Sequence, residues 1–523
     1  MDRRESYDLV IIGAGITGLS TGIAYKKIFP GKEHRVLVIE KQPVVGGCVS
    51  SFAREGFRFD TVQIIPDVSD ILGFFNIELE LKRFETNYTR LFLANPLTRR
   101  SEIFPVASGS SEFEKYLIGH FPEDTQKIQS FFRYCDAMHH ELNYLKTEPG
   151  IFDVVKILLN CRRILANSGK TYKEFLDGFR FHNQKLVEVL DIFSSFSGLS
   201  GNRCAALLTA SAMMATLKGS YRPKKGFIEF PQHLKREFEN RGGKVLLRTS
   251  VEKIITEKGV AKGVKLNDGT EIFSEYTVST ADSKVTLGKM VGYDIIAQKD
   301  AVYAQKAKDA PMSPSGFAIH LGLSEELNLK ALGFDCGYNV LTTGRHTHEQ
   351  MFDAWEKGNL LLSDDAFHMA AIAPSVMTGG RNNLIIHVVP VPADPWIPLR
   401  KENYSLYQEK KLEVADFYIR KVEEYMIPGL TQHILFTDVS TPATYARYIG
   451  SPSGSNYDMM PIPSNFGKNR LKTRTPIKNL FMPKFSHGIW PSFQAGLQVV
   501  DMISGGKIMK GNSSYSNVSN SDG

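Results

Sequence analysis

Paired cysteine motifs, long apolar runs and dense tracts of one charge are all missing from this 523-residue chain. Its five cysteines, Cys48, Cys135, Cys161, Cys204 and Cys336, are odd in number, widely spaced and never arranged as C-x-x-C. That excludes a disulfide framework and a thiolate metal site, and fits a reducing compartment. No apolar stretch reaches the roughly 18 residues a spanning helix needs. The N-terminal residues run directly into a strand without the apolar h-region and cleavage site of a secretory signal, so the expected location is cytoplasmic. The Asn87, Asn403, Asn512 and Asn517 sequons are then chance matches. Lys and Arg exceed Asp and Glu by 63 to 56, a formal charge of +7. Such a mild excess suits a slightly basic surface, or attraction to anionic lipid or an anionic cofactor. Without a Lys/Arg run, no nucleic-acid partner is expected.

What is present begins at once. Residues 7–12 (Tyr-Asp-Leu-Val-Ile-Ile) form a β-branched apolar run of the kind buried in a parallel sheet. A turn over Gly13–Gly18 leads to a helix from Leu19 to about Phe29, stopped by Pro30 and Gly31. A second strand over 35–39 closes on Glu40. This is a βαβ unit in the right order. Residues 76–220 have helical periodicity and little strand signal. Strands are expected at 244–249 and 251–255, then a hairpin around Asn267-Asp268-Gly269. Further on come a strand from Asn383, a charged helix near 402–425, and a strand, loop and closing helix over 479–503. The tail 511–523, rich in Ser, Asn and Gly, is expected to be disordered.

Gly13-Ala14-Gly15-Ile16-Thr17-Gly18 matches G-x-G-x-x-G, a weak signal alone and a strong one between this strand and this helix. Gly13 allows the tight turn, Gly15 lets backbone approach a pyrophosphate, and Gly18 lets helix and strand pack closely. The helix N-terminus offers unpaired N–H groups to phosphate. Glu40, at the end of the second strand, is placed to accept ribose hydroxyl hydrogens, and its charge disfavours the 2′-phosphate of NADP.

The residues that follow, Gly46-Gly47-Cys48-Val-Ser-Ser and Phe52-Ala-Arg54-Glu-Gly56-Phe57-Arg58-Phe59-Asp60, resemble the phytoene desaturase family of FAD oxidoreductases. That family includes carotene isomerases and retinol saturases and is related to the amine oxidases. Tyr221-Arg-Pro-Lys-Lys-Gly226, the segment around Val251, Val278-Ser-Thr280-Ala281-Asp282 and the stretch from Thr475 through Gly488 extend the resemblance. It implies an α/β fold with a Rossmann-like FAD-binding domain, the two-dinucleotide-binding-domain flavoprotein type, and an inserted α+β substrate domain. The FAD-binding domain is expected to be discontinuous (1–75, 221–289 and 441–510), with 76–220 and 290–440 forming the substrate-binding, membrane-facing part. The resemblance implies cofactor contacts from Gly13, Gly15, Ile16, Thr17, Gly18, Glu40, Lys41, Gly46, Gly47, Cys48, Arg54, Val251 and Gly488. Two departures, Val62 where the family carries Gly and the segment 482–491, fall beside the expected flavin ring.

Flavin brings the hydride chemistry, and the protein supplies orientation and water exclusion. Candidate catalytic residues are His487, Trp490 and Lys225, with Phe493 as a further wall of the ring. The adjacent His139 and His140 point different ways on a helix, and His346 and His348 share a strand face without a third ligand, so no metal is expected. Residues 151–163 mix apolar side chains with Lys156, Arg162 and Arg163. They suit either an interfacial helix on anionic lipid or a helix with its apolar side in the core. Ala205–Leu217, small and apolar, either lines a tunnel or packs in the core. The resemblance implies redox or isomerisation chemistry on the carbon–carbon double bonds of an apolar isoprenoid or polyene. A flavin amine oxidase and a non-catalytic prenyl-binding escort protein are the alternatives of similar fold.

Overall fold

The computed structural model describes residues 6–145, 151–483 and 488–506. The expected disordered tail 511–523 lies outside them. The first strand, β1 (Ser6–Ile12), is followed by helix α1 (Ile16–Ile28) and strand β2 (Val36–Ile39). β1 and β2 pair in parallel, as a βαβ crossover requires. β2 is buried along its whole length and β1 from Leu9 onward, which explains the continuous apolar run in place of alternation.

Distant segments complete this sheet. Its order is Lys244–Leu246, β2, β1, Glu271–Ser279, Val260–Leu266 and Val251–Glu257, with Leu480–Phe481 pairing on Glu271–Ser279. The last three strands before the C-terminal pair are the expected meander, antiparallel about the turn at 267–269. Helix α1 packs between two later helices, Glu229–Asn240 and Ile489–Ser504. Glycines set both distances: a Cβ on Gly22 would stand 2.7 Å from the Phe238 ring, and one on Gly496 would stand 2.9 Å from the Thr21 backbone nitrogen.

A second sheet has the order Ile434–Ser440, Ser315–Leu323, Asn383–Val391, His368–Ile372, Tyr338–Thr342, Asn87–Asn95 and Arg100–Ala107. It is antiparallel except where Tyr338–Thr342 meets Asn87–Asn95. Helix Tyr404–Tyr425 packs on the core of this sheet, and the helices between 110 and 218 build a separate apolar cluster beside it.

Two expectations are corrected here. The segment 76–220 carries three strands, Leu81–Arg83, Asn87–Asn95 and Arg100–Ala107. Asn87–Asn95 is buried on both faces and so shows no period of two, and its parallel neighbour lies far along the chain. His346 and His348 stand on helix Arg345–Glu356 and not on a strand. Gly344, with φ +123°, ends the preceding extended segment. His348 stacks instead on His368, with ring centroids 4.1 Å apart.

Candidate functional site

The turn after β1 is shaped by what its glycines exclude. Gly13 has φ +102°, and a Cβ there would meet the Thr280 hydroxyl oxygen at 2.4 Å. On Gly18 a Cβ would meet the Gly13 carbonyl oxygen at 2.0 Å, so this residue fixes how closely α1 crosses β1. Gly15 is the residue before α1 and bridges to Gly46, whose N–H donates to the Ala14 carbonyl at 2.9 Å. Gly46 and Gly47 both have positive φ, and Gly47 lies against Gly15. Two glycine loops thus meet backbone to backbone at the amino end of α1.

Glu40 is buried at the edge of this notch. One carboxylate oxygen accepts the Ala14 N–H at 2.9 Å and the other the Gln42 N–H at 2.8 Å. Each oxygen keeps a further lone pair for a hydroxyl donor. Lys41 beside it donates to the Arg447 carbonyl at 3.2 Å, and burial pulls its pKa down while Glu40 pulls it up.

From this notch a cavity of about 2410 Å³ runs into the helical part of the chain. Its glycine-rich end is lined by Gly13, Gly15, Ile16, Thr17, Glu40, Lys41, Gly46, Gly47, Cys48, Val251 and Gly488. These expected contacts, with Trp490, meet in one space. Trp490 is 38% exposed at the start of the closing helix. The far arm is lined by Phe193, Phe196, Ile157, Leu158, Leu165 and one side of helix Ala206–Lys218, through Leu208, Ser211, Ala212 and Ala215. The small apolar stretch therefore lines the cavity with one face and packs in the core with the other, through Ala210, Met213 and Leu217.

Other expected residues lie elsewhere. Gly18 serves the helix–strand crossing behind the notch. Arg54 is exposed on strand Ser51–Arg54, 3.7 Å from Asp438, and does not line the cavity. Lys225 is exposed, and its backbone N–H binds Glu229. Phe493 is fully buried in the core, 5.1 Å from the Phe75 ring, and walls nothing. His487 lies outside the described residues.

The sequence reading passed over a buried ion pair beneath the site. Arg222 and Asp60, both nearly fully buried, join the return segment to hairpin 51–60. Arg222 also donates to the Gln63 side chain at 3.2 Å, and Asp60 accepts the Phe227 N–H at 3.2 Å. The only signal was a charge inside the short run Tyr221-Arg222-Pro223. Also passed over were Tyr338, His387 and Tyr445, which face the cavity from three distant segments.

Helix Ile151–Asn160 closes the outer end of the arm with apolar side chains turned outward. Val155, Leu158 and Leu159 are 51%, 57% and 61% exposed, beside exposed Lys156 and Arg162. Ile157, by contrast, packs against the apolar cluster of the helical part. No helix among the described residues is long and apolar enough to cross a membrane.

Comparison with known proteins agrees with this geometry. The profile of the NAD(P)-binding Rossmann-like domain matches residues 11–66. Prolycopene isomerase 1, chloroplastic, from an Oncidium hybrid cultivar is 27% identical over 486 residues, 88% of this chain and 76% of that protein. All-trans-retinol 13,14-reductase from Danio rerio is 25% identical over 519 residues, 91% of this chain and 82% of that protein. Among solved structures, wild-type putrescine oxidase bound to putrescine superposes with a TM-score of 0.61 at 12% identity, covering 96% of this chain and 99% of that one. This last likeness is one of fold: an α/β dinucleotide-binding unit with a second, mixed layer inserted.

Proposed function

We propose, from the premise that the chain is a phytoene desaturase-like and carotene isomerase-like oxidoreductase, that it binds FAD and acts on carbon–carbon double bonds of an apolar isoprenoid or polyene. One observation carries this reading. The cavity is more than twice the roughly 300–1,000 Å³ of an ordinary ligand site, and it joins a glycine notch suited to diphosphate with an arm suited to hydrocarbon. A dinucleotide alone leaves the arm empty, and a polyene alone leaves the notch unused.

The notch fits the cofactor by what it omits. A Cβ on Gly13 would strike the Thr280 hydroxyl and one on Gly46 the Val49 carbonyl, while Gly47, with positive φ, lies against the Gly15 Cα. Glycines thus let the two loops meet at the amino end of α1, an end suited to phosphate. In this reading Gly13, Gly15, Ile16, Thr17, Gly46 and Gly47 hold the diphosphate. Glu40 takes the ribose, Lys41 neighbours it, and Val251 borders the adenine. Cys48, Gly488 and Trp490 continue toward the ring. Bound flavin would supply hydride or electron-pair transfer at carbon. The chain's own task is to align the polyene along the arm and keep water from the reacting carbons. Helix Ile151–Asn160 would rest on the anionic cytoplasmic face of a membrane, with Lys156 and Arg162 at headgroup level, and deliver apolar substrate to the arm.

The test is an absorption spectrum of purified protein, identification of the extracted pigment, and anaerobic mixing with a polyene. The expected result is one FAD per chain and conversion or isomerisation of the polyene. A colourless protein that still binds prenyl groups would replace this reading with the escort function. Peroxide formed from amines in air would replace it with amine oxidation.

A further inference from the structure

Between the glycine notch and the apolar arm the cavity wall changes character. Four polar side chains from four segments face it: Tyr338 at the start of strand Tyr338–Thr342, His387 within strand Asn383–Val391, Tyr445 on helix Pro442–Ile449, and Asn456 beyond that helix. No hydrogen bond joins the side chains of Tyr338, His387 or Tyr445 to another described residue. They are half-buried and line the cavity.

The belt is contiguous. A Cβ built on Gly316 would lie 2.8 Å from the His387 Nε2 and 3.0 Å from the Asn456 Nδ2, so these two groups flank one glycine. One built on Gly198 would lie 3.0 Å from the Tyr457 ring and 3.6 Å from Val389, which shares a strand face with His387. Tyr457 in turn interacts with both Tyr338 and Tyr445. The Tyr338 ring rests 5.3 Å from Phe196, where the apolar arm begins.

Burial keeps every member uncharged. The His387 imidazole is pushed down to about 4, and the Tyr457 phenol is raised to about 12. The Tyr338 and Tyr445 phenols are raised further in the same direction. At neutral pH the belt therefore offers phenolic donors, an amide and a neutral imidazole that donates on one nitrogen and accepts on the other. Under a pure hydrocarbon each of these groups loses water and gains nothing. A cation or carboxylate finds no opposite charge in the belt. A hydroxyl or carbonyl satisfies it.

We infer that this belt binds a neutral oxygen function carried by the isoprenoid ligand, so that the cavity selects an oxygenated polyene over the hydrocarbon of the same skeleton. The inference rests on the polyene reading of the arm and adds to it the polar chemistry of the substrate.

The experiment uses the holoprotein and three probes: all-trans-retinol, the hydrocarbon in which methyl replaces its hydroxymethyl group, and the corresponding primary amine. Affinities are read from ligand absorbance and fluorescence, and flavin content is measured alongside. The expected result is retinol binding at least about tenfold tighter than either analogue, the effect of one or more well-made hydrogen bonds. Tyr338→Phe, which keeps the ring on Phe196, and His387→Leu each reduce that preference. Together they bring it to about one, with hydrocarbon affinity and flavin content unchanged. His387→Met, likewise without a strong donor or acceptor, serves if the leucine variant does not accumulate. Equal affinity for alcohol and hydrocarbon in the unaltered protein overturns the inference. So does a preference that survives both substitutions, or a loss of flavin in their place, which would mean that the belt faces the cofactor. If none of the three probes binds, the polyene reading itself falls, and this inference with it.

Discussion

A guanidinium with 1% of its surface exposed needs an opposite charge, and Arg222 finds it in Asp60. Asp60 takes two further donors, from the Ser51 hydroxyl and the Phe227 N–H, so the pair ties hairpin 51–60 to the chain that returns at 220–227. Thr61 and Val62, next in sequence, line the cavity, and so the pair acts on the site through position alone. Removing one member strands the other charge in the interior, at a cost of about 3–5 kcal/mol. Arg222→Met or Asp60→Leu alone should therefore lower the thermal midpoint sharply. The double variant should recover most of the loss, because two apolar side chains need no partner. A thermal-unfolding double-mutant cycle checks this, and strictly additive losses would show that the two residues are not coupled.

Helix Ile151–Asn160 inverts the usual plan of an amphipathic element, with leucines outward over a cavity mouth that Val154, Ile157 and Leu158 also line. Exposed apolar clusters of this kind mark contact with lipid or another protein. Leu158→Glu with Leu159→Glu should abolish flotation with anionic liposomes at low salt and leave the fold and flavin content intact, since neither side chain packs in a core. Flotation that persists in this variant would move the membrane contact elsewhere. At the same scale the sequence was readable wherever local chemistry decides the outcome. The glycine turn after β1, the hairpin at 267–269 and the cavity-lining face of Ala206–Lys218 all follow from short stretches. It was unreadable where partners are remote. Asn87–Asn95 earns its place in a sheet from Tyr338–Thr342, and Arg54 turns outward because Asp438, nearly four hundred residues away, waits on an edge strand. His387 and Tyr338 carry no motif, and only the strand order of the second sheet brings them to the wall of one cavity.

Across the whole molecule, five imidazoles among the described residues are held well below their ordinary value chiefly by burial: His139, His320, His348, His368 and His387. Four of them are pushed down to about 4, and His348 also lies well below its ordinary value. In the unfolded chain each titrates near 6.5. Between about pH 6.5 and 4 the unfolded chain therefore binds protons that the folded one refuses, and stability falls as pH falls through that window. Asp191 works the other way. Burial raises its carboxyl to about 7, so from there down to its ordinary range the folded form holds a proton that the unfolded form releases. Glu114 and Glu188 are raised by burial in the same sense, while Glu123, Asp124, Asp268 and Asp364 are lowered, so the five imidazoles set the direction and unfolding takes up protons across the window. The apparent thermal midpoint should accordingly drop steadily from pH 6.5 to 4.5, while these imidazoles add no slope above about pH 7. His320 isolates one contribution. Its ring meets Phe52 and Phe59 edge-on at 5.0 and 5.2 Å, and its Nδ1 has no hydrogen-bond partner, so an apolar side chain suits the position. His320→Leu should flatten the acid slope by about one proton, measured calorimetrically across the window. An unchanged slope would mean that this imidazole is already charged in the folded protein, and that burial in the second sheet does not govern its titration.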